Sequence, residues 1–289
     1  MATRQKPGGV KHRHKLWFGV VGASALVLAG VAAGFVILLS GGFSTAATTQ
    51  HFWITHRLLD IGLSVSVNAA ASHIKVPALT DPTMIAQGMA CYRMHCIDCH
   101  GAPGEAPAAA GRGMLPVPAP LSQATRDWST AALYYITKKG VRMTGMPAWE
   151  FRMSEHSLWS TVALLAAMPQ LSISQFDDLK ARSQSSTCPV NTVSPQTPYP
   201  DRGEMLLRQY ACHSCHRIEG VTGPKTYAGP ELNRWSERKY IAGVLPNTRQ
   251  NLTQWIHNPQ SVNPLTMMPN LAVPESHAEE IARYLLAPR

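Results

Sequence analysis

Acidic side chains are absent from residues 1–15 of this 289-residue chain, and residues 16–40 carry no charge of either sign. The first absence leaves Arg4, Lys6, Lys11, Arg13 and Lys15 unopposed, so the tail holds +5 of the net charge of +9. What remains is spread thinly, and a near-neutral body gives no argument for a nucleic-acid partner. The second absence produces LWFGVVGASALVLAGVAAGFVILLS, an uncharged run long enough to span a bilayer. The basic tail stays on the cytoplasmic side and places everything after residue 40 outside. A cleaved signal peptide competes with an anchor, but its apolar region is normally only about 7 to 15 residues. The small residues at Ala46 and Ala47 leave cleavage open.

Cysteine is also sparse, at six residues, and four of these fall into two copies of one pentapeptide: Cys96-Ile97-Asp98-Cys99-His100 and Cys212-His213-Ser214-Cys215-His216. CxxCH is the signature of covalently attached c-type haem. Two thiols must reach one porphyrin edge while the adjacent His falls on the iron, and that requirement sets the spacing. Cys96, Cys99 and His100 would hold one haem c, and Cys212, Cys215 and His216 a second. Zinc also uses paired CxxC motifs, but its pairs usually stand some 15 to 20 residues apart, and these lie 116 residues apart (212 minus 96). A redox CxxC needs no following His and no second copy. Haem attachment to reduced thiols takes place outside the bacterial cytoplasmic membrane, the compartment that the charge pattern also selects. The periplasmic face of the inner membrane is therefore expected, with a single membrane pass.

Apolar residues at 45% suffice for buried cores, while 22 Pro and 21 Gly suggest helices joined by long loops. The pattern divides into a cytoplasmic tail (1–15), an anchor (16–40), a juxtamembrane helix and connector (41–80), a first domain (81–172), a Pro, Ser and Thr-rich linker (173–198) and a second domain (199–289). In the first domain, Asp81-Pro82 starts a helix that runs into the haem motif. Further helices are predicted over 128–139 and over 154–168 with Ser154 as N-cap. The second domain repeats the plan, with helices over 202–211, 251–256 and 276–286. The expected fold class is all-α.

A haem held by one His needs its other axial position filled, and a thioether there raises the potential relative to a second His. Each domain offers a late Met-Pro dipeptide ahead of its last helix: Met146 in GVRMTGMPAWEF and Met268 in NPLTMMPNLAVPE. Met143 and Met267 are their local competitors. Methionine is commonly core filler, so the position before Pro is what selects Met146 and Met268.

On these residues each half resembles a class I cytochrome c, the likeness covering roughly residues 80–289. In the second half, Gly229-Pro230-Glu231-Leu232 looks like the family's GPxL segment, and the resemblance implies that the Pro230 carbonyl accepts the His216 ring proton. The first half offers only PVPAPL, leaving Pro118 and Pro120 as alternatives. The stretch from ELNRW to MMPNL is similar to the cytochrome c domain fused to subunit II of some haem-copper oxidases. The region from Arg126-Asp127-Trp128 to GVRMTGMPAWEF looks like membrane-anchored respiratory cytochromes. The resemblance implies a quinol-oxidising complex or a terminal oxidase as redox partner.

Cys91 and Cys188 lie outside both motifs; an oxidising compartment permits a disulfide between them, and two separate thiols are the alternative. His95 and His213 are expected at the surface, and Trp128, Trp149, Trp159, Trp235 and Trp255 in packing. The leading expectation is a membrane-tethered dihaem electron carrier with no catalytic residue and no small-molecule substrate. A stably bound cytochrome subunit of an oxidase or periplasmic dehydrogenase is the alternative. A catalytic dihaem enzyme would need an open iron site, which Met146 and Met268 oppose.

Overall fold

The computed structural model describes residues 9–42, 44, 46–50, 52–189, 202–224 and 228–287. Among these the chain is helical apart from an antiparallel pair of two-residue strands, Tyr240–Ile241 with Leu245–Pro246. It divides into two units, Met1–Trp53 and Ile54–Arg289.

The first unit contains α1 (Gly9–Leu39). Within it, Trp17–Leu39 is wholly exposed and long and apolar enough to cross a membrane. An uncharged helix with no buried face has to be covered by lipid or protein.

In the second unit, α2 (Trp53–Ala71) packs Val67 and Ala71 near Ala132 and Trp128. Helix α3 (Pro82–His95) starts where expected: the Asp81 side chain accepts from the Thr83 amide, and Pro82 supplies a first-turn residue with no amide to satisfy. Helices α4 (Thr130–Lys139) and α5 (Glu155–Ala167) are capped by Ser129 and Ser154. Trp128 stands just before its helix, not inside it, because Ser129 takes the N-cap position. The first core gathers Met89, Tyr92, Leu133, Tyr134, Met153, Leu158, Trp159 and Leu164.

The linker reading fails over its opening residues. Ile173–Arg182 is a helix, α6, closed at its start by a capping box in which Ser172 and Gln175 bond each other's backbone. Its Phe176 is fully buried in the first core. After α6, residues 183–189 strap back onto α3. Arg93 donates to the Ser183 and Ser186 carbonyls, Gln87 donates to that of Thr187, and Cys188 is joined to Cys91 by a disulfide. Of the two readings left open for these cysteines, the bridge is the one observed. The rest of the predicted linker, 190–198, lies outside the described residues.

The longer helices that remain are α7 (Arg202–Gln209), α8 (Arg249–His257) and α9 (Glu275–Leu286). They enclose a second core of Leu206, Leu207, Trp235, Ile241, Leu252, Trp255, Ile281 and Leu285. Ala148 and Phe151, from the loop that follows Met146, are buried in this same core. Beside them the Arg152 guanidinium donates to the Gln209 carbonyl and lies 5.8 Å from the Tyr210 ring centroid.

The two cores share one construction device. A Cβ on Gly88 of α3 would come within 2.0 Å of the Ser160 carbonyl oxygen on α5. A Cβ on Gly203 of α7 would lie 2.2 Å from Tyr284 Cβ on α9. In each case the helix entering CxxCH crosses a later helix of its core at a glycine, the only residue without a Cβ.

Candidate haem-attachment sites

In the first site α3 ends at His95, and Cys96 to His100 turn once more, with the His100 amide bonded to the Cys96 carbonyl at 2.9 Å. That turn places the thiols three residues apart with the imidazole beside them. Fully buried Tyr92 fixes the exit, donating its hydroxyl to the Gly101 carbonyl at 2.6 Å. The second site repeats the backbone pattern: the His216 amide bonds the Cys212 carbonyl at 2.9 Å. All four motif cysteines are free thiols. Burial pushes the Cys96 thiol up to about 12, with Cys99 adding to the shift, and burial likewise pushes Cys212 up to about 11. Both thiols therefore stay protonated near neutrality.

The two imidazoles are held alike. His100 Nδ1 lies 2.7 Å from the Ala119 carbonyl oxygen, and His216 Nδ1 lies 2.7 Å from that of Pro230. A carbonyl can only accept, so Nδ1 carries the hydrogen in both rings and a neutral ring leaves Nε2 with its lone pair for a metal. The acceptor at the first site is thus neither Pro118 nor Pro120 but the residue between them. The loop supplies a main-chain oxygen, and side-chain identity at that position is immaterial.

Gly229 makes room for the second imidazole. A Cβ there would stand 2.5 Å from Cε1 and 2.7 Å from Nδ1 of His216. Its own amide bonds the Cys215 carbonyl at 2.8 Å, tying the GPEL segment to the motif.

Met146 and Met268 are half-buried, whereas Met143 and Met267 are 89% and 94% exposed. Each Met-Pro loop is locked by a threonine two residues upstream: Thr144 accepts from the Met146 amide at 3.1 Å and Thr266 from the Met268 amide at 3.2 Å. The sequence signal was present as TGMP and TMMP. Gln260 further donates to the Met268 carbonyl at 2.7 Å, and the Met268 side chain packs on the second core. A third Met-Pro, Met168-Pro169, puts its Met in the first core at 2% exposure. Met114, passed over in sequence, has its thioether against Gly145 and so beside the Met146 loop.

A cavity of about 240 Å³ opens beside His100, walled by Ala102, Pro107, Pro118, Pro120 and Leu121 with Glu105 and Ser122 as its polar members; Met146 is not in its wall. The donor set fits haem c: paired free thiols, an imidazole with Nδ1 already committed, and a mainly apolar wall. It does not fit zinc, since among the described residues no three His, Cys, Asp or Glu side chains gather around a metal-sized site.

Two histidines depart from the surface expectation. The His95 ring is half-buried against Trp149, with centroids 4.8 Å apart. His213 is half-buried, and its Nδ1 finds no hydrogen-bond partner among the described residues.

Residues 83–165 match the family described as cytochrome c oxidase, cbb3-type, subunit III. This region is a cytochrome c domain. Such a domain binds haem c covalently, which is what the match implies for residues 83–165. Three curated relatives carry the name cytochrome c oxidase subunit 2. That of Alkalihalophilus pseudofirmus is 37% identical over 81 residues, covering 28% of this chain and 22% of its own length. That of Bacillus sp. strain PS3 is 26% identical over 117 residues, 39% of this chain and 32% of the relative. That of Bacillus subtilis strain 168 is 30% identical over 83 residues, 27% and 23%. The chain thus spans a third or less of each relative. No solved structure matches it.

Proposed function

We propose that this cytochrome is a membrane-tethered dihaem carrier that passes single electrons between respiratory complexes. The observation that carries the reading is the repetition, at both CxxCH motifs, of a ring nitrogen held 2.7 Å from a main-chain carbonyl. In this reading Cys96 and Cys99 hold one haem and Cys212 and Cys215 the other. His100 with Met146, and His216 with Met268, would hold the two irons. Bound haem supplies one-electron redox chemistry at iron. The protein contributes the rest. The Ala119 and Pro230 carbonyls orient the imidazoles and raise their basicity. The threonine-locked loops hold the thioethers, and the two apolar cores keep water away.

The first haem module begins near residue 81 and takes in residues 173–189, which are sewn into its core. The second runs over 199–289. Trp17–Leu39 anchors both with the N-terminus in the cytoplasm and the modules in the periplasm.

Redox titration with haem stoichiometry tests the proposal. Two haems per chain are expected, each low-spin, with Met146→His and Met268→His each lowering one potential and leaving the other. A single haem per chain, or a peroxide-reactive high-spin haem, refutes it. The kinship with proteins named as oxidase subunits favours a second reading, a cytochrome held permanently in an oxidase complex. Gentle solubilisation and size analysis separates the two, because a lone monomer removes the subunit reading.

A further inference from the structure

Helix α2 is apolar on two opposite sides. One side carries Leu63, Val67 and Ala71, packed near Ala132, Tyr135 and Ile136. On the other, Ile54, Leu58, Ile61 and Val65 recur at the spacing of a single helical stripe, and they are 46% to 65% exposed. The charged residues of α2 are Arg57 and Asp60, which pair with each other at 3.4 Å. At 3.6 residues per turn neither falls on the stripe: Arg57 flanks it and Asp60 lies on the far side. A helix that is apolar on both faces must have both covered, and among the described residues of its own unit one face is covered.

Residues 40–52 alone separate α2 from the end of α1. Thirteen residues reach roughly 45 Å when fully extended, so α2 cannot leave the neighbourhood of a membrane crossed by Trp17–Leu39. Exposed Phe52 and Trp53 open α2 on the side of the chain nearest the anchor, and aromatic side chains favour the headgroup level. The absence of charge from the stripe selects an apolar phase over an acidic or basic protein surface.

From this we infer that the Ile54, Leu58, Ile61 and Val65 stripe lies in the outer interface of the bilayer. Helix α2 is then a second membrane contact, and its opposite face carries the first haem module. The inference rests on the anchor reading of α1.

The test is photolabelling of the full-length protein in phosphatidylcholine vesicles containing a diazirine-acyl phosphatidylcholine, with labelled peptides mapped by mass spectrometry. Labelling of residues 54–65 is expected at least fivefold above that of Thr130–Lys139, together with labelling of 17–39. Leu58→Glu with Ile61→Glu should abolish the former and keep the latter, with haem content and the Cys91–Cys188 bridge unchanged. Labelling of 17–39 without 54–65 overturns the second contact alone and points to a protein partner for the stripe. Labelling of neither overturns the anchor reading as well. Labelling of 54–65 only when phosphatidylglycerol is added overturns the apolar account.

Discussion

Replacing Gly229 with Ala should damage the second CxxCH site selectively, and its cost can be worked from the geometry. The added methyl would stand 2.5 Å from His216 Cε1 and 2.7 Å from Nδ1, where carbon contacts settle near about 3.5–4.0 Å. Relief requires the ring to retreat by about 1 Å. Moved that far, Nδ1 passes from 2.7 Å to beyond hydrogen-bond range of the Pro230 carbonyl. Overpacking costs about 1–3 kcal/mol and the lost hydrogen bond about 0.5–1.5 kcal/mol. The sum is about 1.5–4.5 kcal/mol, roughly one to three orders of magnitude in the population of the intact site. Guanidinium titration followed by the low-spin haem spectrum should show that loss in the second module and none in the first. Gly113→Ala is the control, because a Cβ there meets nothing closer than 3.6 Å. If Gly229→Ala changes stability by less than about 0.5 kcal/mol, the packing argument for an imidazole-shaped niche is wrong.

Cys188→Ala removes a bridge across a sequence separation of 97; chain entropy then predicts a loss of about 4.7 kcal/mol in denaturant titrations. A loss below about 1 kcal/mol would show that the strap's hydrogen bonds suffice. Arg152→Ala should cost about 2–3 kcal/mol through its charge-assisted bond to Gln209 and its stacking on Tyr210. Calorimetry should then resolve two transitions where the parent shows one; an unchanged single transition refutes the link. His277 is fully buried, its Nδ1 2.8 Å from the Tyr210 hydroxyl, and burial and then the Arg202 charge lower its pKa against an opposing effect of Glu280. Since the folded ring resists protonation, the unfolded chain binds the extra proton once pH falls through about 6.5. Stability should be level above that pH and fall below it, at up to about 1.4 kcal/mol per pH unit. His277→Gln, which can still bond Tyr210, should flatten the acid limb; a profile unchanged by the substitution refutes the assignment.

What could be read from sequence was the chemistry that sits on neighbouring residues. CxxCH, the Asp81 and Ser154 caps and the Met-Pro pairs are each decided within a few positions. Features built from distant partners stayed hidden. Gly88 and Gly203 look like weak points inside helices until the crossing helix is in place. The Ala119 acceptor could not be chosen because a carbonyl belongs to every residue alike, and the search for a proline pointed one position to either side. Helix α6 was lost in the Ser and Pro-rich composition around it, although Ser172 and Gln175 spell its capping box. The Cys91–Cys188 pairing and the Arg152 contact with Gln209 join segments whose approach only the fold determines.

The disulfide also imposes an order on maturation. Cys91, Cys96 and Cys99 emerge together on one short stretch of the growing chain, whereas Cys188 follows only after the whole first core has been made. Until then Cys91 has no correct partner, and the two CxxCH thiols are its nearest competitors for oxidation. A mixed bridge to either would close the first site to haem. Survival of that site becomes a race between thioether formation and thiol oxidation, and burial of Cys96, which holds its thiol protonated and slow to react, favours the right outcome.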